Sequence, residues 1–339
     1  MAKISAVVIG GGSWGTALAK VLAENGHQTR LWCRELDLVE TINQSHVNSM
    51  YMPGITLPDN LTAHGQLADA LDATDIKIVM LVVPSHHLRS VARQLVDLLP
   101  SGVPIMAAVK GIENESLELP SQILEGTLPA RLHAQLTYLS GPSFAKEVAL
   151  GIPTGVLVAA RDESYACLAQ DVLGNQRLRV YRTDDVIGVE IGGALKNVVA
   201  IAAGISDGLG FGHNSRAALI TRGLAEIGRL AHKLGAHPMT VSGLSGMGDL
   251  VLTCTGDLSR NRQVGLELGK GKKLQQILSE MTMVAEGVKT SKSAYELSRR
   301  EQVEMPLTEG IYRVLYEDSD PRKEVAELMA RSPRPERDF

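Results

Sequence analysis

Lys196 lies within Gly188-Val-Glu-Ile-Gly-Gly-Ala-Leu-Lys-Asn-Val-Val-Ala-Ile-Ala-Ala-Gly204, an apolar stretch with no other basic residue. At helical spacing its neighbours three and four residues away are Gly193, Gly192, Val199 and Ala200, so the ammonium shares a small, apolar face. Burial there pushes a lysine pKa down towards the range where it can exchange a proton. Small neighbours also admit another backbone or a ligand. A lysine snorkelling to water from a core helix is the competing reading, and the local pattern leaves both open. Three other stretches carry chemistry. Lys110-Gly111 ends the expected strand Pro104 to Val109, and open α/β sheets bind ligands at such carboxyl ends. Gly243-Leu-Ser-Gly-Met-Gly-Asp249 reads as a glycine-rich turn presenting a carboxylate. Ser259-Arg-Asn-Arg262 reads as a capped helix start, either a phosphate site or an ordinary cap with a solvated basic turn.

Elements must position these groups, and the N-terminus supplies the first. Ile4-Ser-Ala-Val-Val-Ile9 reads as a strand, Gly10-Gly-Gly-Ser-Trp-Gly15 as GxGxxG, and Thr16 to Asn25 as a helix closed by Gly26. In that setting Gly10 permits a tight turn, Gly12 lets backbone approach a pyrophosphate, and Gly15 allows close helix–strand packing, so a dinucleotide is expected. The second strand, Gln28 to Cys33, is followed by Arg34 where NAD-selective sites usually carry an acid. A guanidinium suits a 2′-phosphate, so NADPH is the expected preference, with Glu35 keeping NADH possible.

Asn43 to Asp59 reads as loop and short helix, and Lys77 to Val83 as a central strand whose sequel Pro84-Ser-His-His opens a helix through Leu99. Further strands are expected at Leu136 to Ser140, which leads into Gly141-Pro-Ser-Phe-Ala-Lys-Glu147, and at Gly155 to Ala160 and Leu178 to Arg182. This alternation predicts an α/β fold: a Rossmann-like, doubly wound, mostly parallel sheet over residues 1–183. Helical patterns then dominate, giving an all-α substrate and catalytic domain at 184–330 and a frayed tail at 331–339.

Composition narrows the partners. The chain has 339 residues, 44% of them hydrophobic, and a formal net charge of -4. Two cores fit that length, and the charge gives no general attraction to nucleic acid or anionic lipid. Cys33, Cys167 and Cys254 are far apart and without metal spacing, which points to a reducing compartment and no metal. Neither a signal peptide nor an integral membrane segment is expected, so the location read is cytoplasmic.

Taken together, these motifs resemble the bacterial-type NAD(P)-dependent glycerol-3-phosphate dehydrogenases. The resemblance rests on Gly10 to Leu18, Val82 to His86, Lys110 to Glu113, Ser140 to Glu147, Gly193 to Val198, Ser206 to Gly212, Gly246 to Leu250, Ser259 to Asn261 and Val284 to Gly287. It implies reversible reduction of dihydroxyacetone phosphate to sn-glycerol 3-phosphate with NADPH or NADH, supplying phospholipid synthesis. It further implies that Lys196 exchanges the proton, and that Lys110, Gly141, Ser143, Lys196, Asp249, Ser259, Arg260 and Asn261 contact substrate. Cofactor contacts implied beside the glycines are Ser13, Trp14, Arg34, Lys110, Ala145, Arg260, Val284 and Glu286. Asp249 is expected to orient a lysine, and an all-α domain with apolar faces makes a homodimer possible. The rival readings are a dehydrogenase of another phosphorylated polyol or hydroxy acid, and a non-catalytic NADPH sensor.

Overall fold

The computed structural model describes residues 4–281, 285–333 and 335–336. Eight strands form one sheet: β1 (Ser5–Ile9), β2 (Gln28–Trp32), β3 (Leu61–His64), β4 (Ile76–Leu81), β5 (Ile105–Ala107), β6 (Leu136–Ser140), β7 (Thr154–Ala160) and β8 (Leu178–Thr183). Their order is β3-β2-β1-β4-β5-β6-β7-β8. Neighbours are parallel except β6 and β7, which pair antiparallel from Thr137↔Ala160 to Ser140↔Leu157. The apolar runs explain the centre: every residue of β1 is buried, as a parallel strand covered on both faces requires. Strand order reverses beside β1, so the crevice beyond the ends of β1 and β4 is the ligand-binding switch point of such a sheet.

Between β2 and β4 the chain departs from expectation. The helix begins early, spanning Leu36–Ser45, and stops at His46, whose φ is 52°. The edge strand β3 follows, unread in the sequence because its four residues alternate in burial and only Leu61 and Ala63 face the core.

The described chain divides into two compact units: residues 1–109 with 120–186, and residues 110–119 with 187–339. A single cut near 184 therefore misses the ten-residue segment Lys110–Leu119, which belongs to the second unit. Its Ile112 and Leu119 are buried in that unit's core, and the Ser293 hydroxyl donates to the Ile112 carbonyl at 3.1 Å.

No strand occurs among the described residues of the second unit. Its axis is the 23-residue helix Val186–Gly208. That helix is apolar enough to cross a membrane, yet 94% of its most apolar window is buried inside the protein. It is a core helix. The helix Arg260–Gly269 packs on it at backbone distance: a Cβ on Gly204 would lie 2.0 Å from the Arg262 carbonyl oxygen, and one on Gly265 equally close to that of Ile201. In the tail, Arg331 pairs with Glu304 and Glu336 with Arg222.

Candidate active site

Lys196 is 8% exposed. Its Nζ donates to Asp249 Oδ1 at 2.5 Å and to Thr253 Oγ1 at 2.9 Å. The other carboxylate oxygen, Oδ2, accepts from Lys110 Nζ at 2.6 Å. One buried carboxylate thus spans two ammonium groups, and the triad carries a net positive charge.

The positions follow from local structure. The glycine-rich stretch before Asp249 is not a turn: Leu244–Gly248 forms a π-helical segment running into the helix Asp249–Thr255. Such segments often mark functional sites. A Cβ on Gly192, one turn before Lys196, would sit 2.7 Å from the Ser245 carbonyl oxygen, so the small face of the lysine helix is what admits this segment. Thr253, one helical turn beyond Asp249, was not singled out in the sequence, although its i, i+4 spacing to Asp249 was the available signal.

Burial lowers the Lys196 pKa, opposed by the Asp249 charge and reinforced by that of Lys110, leaving it at about 8. Burial alone would raise the Asp249 carboxyl, but the two lysines hold it below its usual range. Nearby Cys254 is pushed up to about 12 by burial. It is an inert thiol rather than a nucleophile.

Ser259 caps the helix Arg260–Gly269, its Oγ accepting from the Arg262 amide at 3.2 Å. Arg260 stands at the first helical position with much of its surface exposed, while partial burial of its guanidinium lowers its pKa against the opposing charge of Glu286. Asn261 is buried, donating through Nδ2 to Asn197 Oδ1 at 2.8 Å and accepting at Oδ1 from the Gly287 amide at 2.9 Å. An amide nitrogen has a second N–H, so Asn261 can still donate to a ligand. Asn197, next to Lys196, is a tie that sequence reasoning overlooked. Arg262 is clamped by Asp207 and Asp257, with Nε to Asp207 Oδ2 at 2.9 Å and Nη1 to Asp257 Oδ1 at 3.0 Å. This fixes the helix N-terminus at which Arg260 stands, and a helix N-terminus beside a guanidinium is an arrangement able to bind phosphate.

The first unit carries the glycine turn. Gly10 adopts φ +130°, and a Cβ there would meet the Val82 carbonyl oxygen at 2.3 Å. One on Gly15 would meet the Gly10 oxygen at 1.8 Å, whereas nothing lies within 4 Å of one on Gly12. Tight turn, close packing and an open approach thus fall where a pyrophosphate cradle needs them. Gly12 caps the helix Ser13–Glu24 without any side-chain bond. Ser13 Oγ donates to the Tyr51 carbonyl at 2.8 Å, and Trp14 packs against the core.

Arg34 is exposed beyond β2 and pairs with Glu35 at 2.8 Å, while burial raises the Cys33 thiol to about 12. At the end of β6, Gly141 has φ +119°, its carbonyl accepts from Ser143 Oγ at 3.0 Å, and Ala145 opens a short helix. Val284 lies outside the described residues. Among the described residues, no group of His, Cys, Asp and Glu is arranged to hold a metal.

Comparison with known proteins bears on both units. Residues 5–166 match the model of the NAD-dependent glycerol-3-phosphate dehydrogenase N-terminus, and residues 185–326 match that of its C-terminus. A protein of Syntrophotalea carbinolica named glycerol-3-phosphate dehydrogenase (NAD(P)+) is 53% identical over 331 residues, 98% of this chain and 99% of its own. One of the same name from Geobacter sulfurreducens is 54% identical over 330 residues, 97% and 98% of the two chains. The crystal structure of glycerol-3-phosphate dehydrogenase from Coxiella burnetii superposes with a TM-score of 0.91 at 40% identity, covering 97% of this chain and 99% of that one.

Proposed function

Since the chain belongs to the NAD-dependent glycerol-3-phosphate dehydrogenase family, we propose that Lys196, Asp249 and Lys110 form the centre at which dihydroxyacetone phosphate is reduced to sn-glycerol 3-phosphate. The observation that carries this reading is the single buried carboxylate shared by two lysines. Its net positive charge is matched to an oxygen that becomes negative during reaction. A nicotinamide cofactor, when bound, would supply the hydride that the ketone carbon accepts. As charge builds on the ketone oxygen, Lys196 delivers a proton to it and Lys110 stabilises it electrostatically. Asp249 holds both ammonium groups in register, and Thr253 fixes the Lys196 Nζ from a second side. In the oxidation direction neutral Lys196 takes the hydroxyl proton.

Ser259, Arg260 and Asn261 are assigned to the substrate phosphate, with Gly141 and Ser143 as further substrate contacts. Gly10, Gly12, Ser13, Trp14, Gly15, Arg34, Lys110, Ala145, Arg260 and Glu286 are assigned to the cofactor. Arg34 favours the 2′-phosphate of NADPH, and Glu35 beside it leaves NADH usable. Three free cysteines, two of them buried, support a reducing, cytoplasmic setting, where the product would feed phospholipid synthesis. Exposed apolar residues of the second unit, Phe211 and Met239 among them, support a homodimer.

The test follows NADPH absorbance on adding dihydroxyacetone phosphate, with NADH and unphosphorylated dihydroxyacetone in parallel. Oxidation is expected only with the phosphorylated ketone and faster with NADPH, and Arg34→Ala should narrow the difference between cofactors. Equal rates with the unphosphorylated ketone would refute the phosphate site. Cofactor binding without oxidation would point to the sensor.

A further inference from the structure

Asn48 is fully buried in the stretch between the helix Leu36–Ser45 and β3. Its Nδ2 donates to the Gly11 carbonyl at 2.8 Å and to Thr16 Oγ1 at 2.7 Å, while its Oδ1 accepts from the Tyr51 amide at 2.9 Å. The Gly11 carbonyl also accepts from Thr16 Oγ1 at 3.3 Å. A trans peptide sets the carbonyl of one residue opposite the amide hydrogen of the next. Pinning the Gly11 oxygen towards Asn48 therefore turns the Gly12 N–H away from Asn48, and a Cβ on Gly12 would itself meet nothing within 4 Å.

We propose that Asn48 is a positioning residue for the cofactor's pyrophosphate, locking the Gly11–Gly12 peptide so that its N–H, not its oxygen, faces the phosphates. The inference rests on the dinucleotide reading of the glycine turn. A flipped peptide would set a carbonyl oxygen against an anion, and glycine on both sides offers little steric resistance to that flip. The lock must come from elsewhere, and Asn48 supplies it. Tyr51 extends the brace: its amide is held by Asn48 and its carbonyl by Ser13 Oγ. The stretch after the helix thus grips the glycine turn at two points.

Asn48→Ala would leave a cavity and a lone Tyr51 amide, so the isosteric Asn48→Asp carries the test, since it keeps the acceptor for Tyr51 and removes the Nδ2 donors. Kd is measured by fluorescence titration for NADPH and by calorimetry for adenosine 2′-monophosphate, which lacks a pyrophosphate. For Asn48→Asp the NADPH Kd should rise on the order of ten- to a hundredfold, as for a lost hydrogen bond to a charged group. Affinity for adenosine 2′-monophosphate, kcat at saturating NADPH and KM for dihydroxyacetone phosphate should stay within about threefold. An unchanged NADPH Kd overturns the proposal, and so does an equal loss for both nucleotides, which would mean general damage to the unit. A wild-type protein that binds adenosine 2′-monophosphate but gains nothing from a pyrophosphate would overturn the dinucleotide reading itself.

Discussion

In the proposed mechanism Lys196 is the residue on which the chemistry turns, and its environment gives that proposal a testable sign. Its pKa of about 8 is the outcome of burial and the Lys110 charge pulling down against Asp249 pulling up. Reduction needs the ammonium, so kcat/KM for the ketone should fall as pH rises through about 8. Oxidation of glycerol 3-phosphate needs the amine and should rise through the same range. Asn at position 249 removes the charge that raises this pKa, so in Asp249→Asn both limbs should move to lower pH. Limbs that move to higher pH would contradict the assignment. Lys196→Ala should cut turnover by about a hundred- to ten-thousandfold, the usual worth of a positioned acid, while NADPH binding measured by fluorescence stays near wild type. The lysine was legible because a charge amid Gly192, Gly193, Val199 and Ala200 violates helix patterning. Thr253 and Asn197 were not, since polar residues near a helix surface have many uses and only the fold brings them to Lys196 and Asn261.

At the scale of elements, the proposed phosphate site depends on two helices touching at their backbones. Gly204 and Gly265 let Val186–Gly208 and Arg260–Gly269 approach until carbonyl oxygens occupy the space where Cβ atoms would stand. Gly204→Val should force the helices apart and cost about 1–3 kcal/mol, as overpacking does, read as a lower urea midpoint. Because Ser259, Arg260 and Asn261 ride on the displaced helix, KM for dihydroxyacetone phosphate should rise more than the NADPH Kd, which depends on that helix through Arg260 alone. A loss of stability with unaltered KM would separate the helix contact from the substrate. Seven of the eight strands were readable, the central ones as continuous apolar runs, and the alternating edge strand β3 was not. The stretch from Asn43 to Asp59 was not: the Asn48 side chain donates to residues more than thirty positions away, and no local pattern encodes that.

For the whole molecule, the sequence suggests one crossing from sheet to helices near residue 184, but the chain changes unit three times, at residues 109/110, 119/120 and 186/187. The segment Lys110–Leu119 delivers Lys110 to Asp249 and is anchored by Ile112 and Leu119, 3% and 4% exposed in the helical core. Lacking regular structure, it shows no periodicity, and two apolar residues seven apart do not say which core they enter. Ile112→Ala should cost about 2–5 kcal/mol, as truncation of a buried Ile does. The loss should fall on the second unit. Hydrogen exchange in the intact protein should quicken over the helix Glu286–Arg300, whose Ser293 bonds the Ile112 carbonyl, while β1 and β4 keep their protection. Exchange that quickens in the sheet instead would show the segment to be stabilised by the dinucleotide-binding unit. In that case Lys110 would owe its position to the sheet rather than to the helical core that holds Asp249.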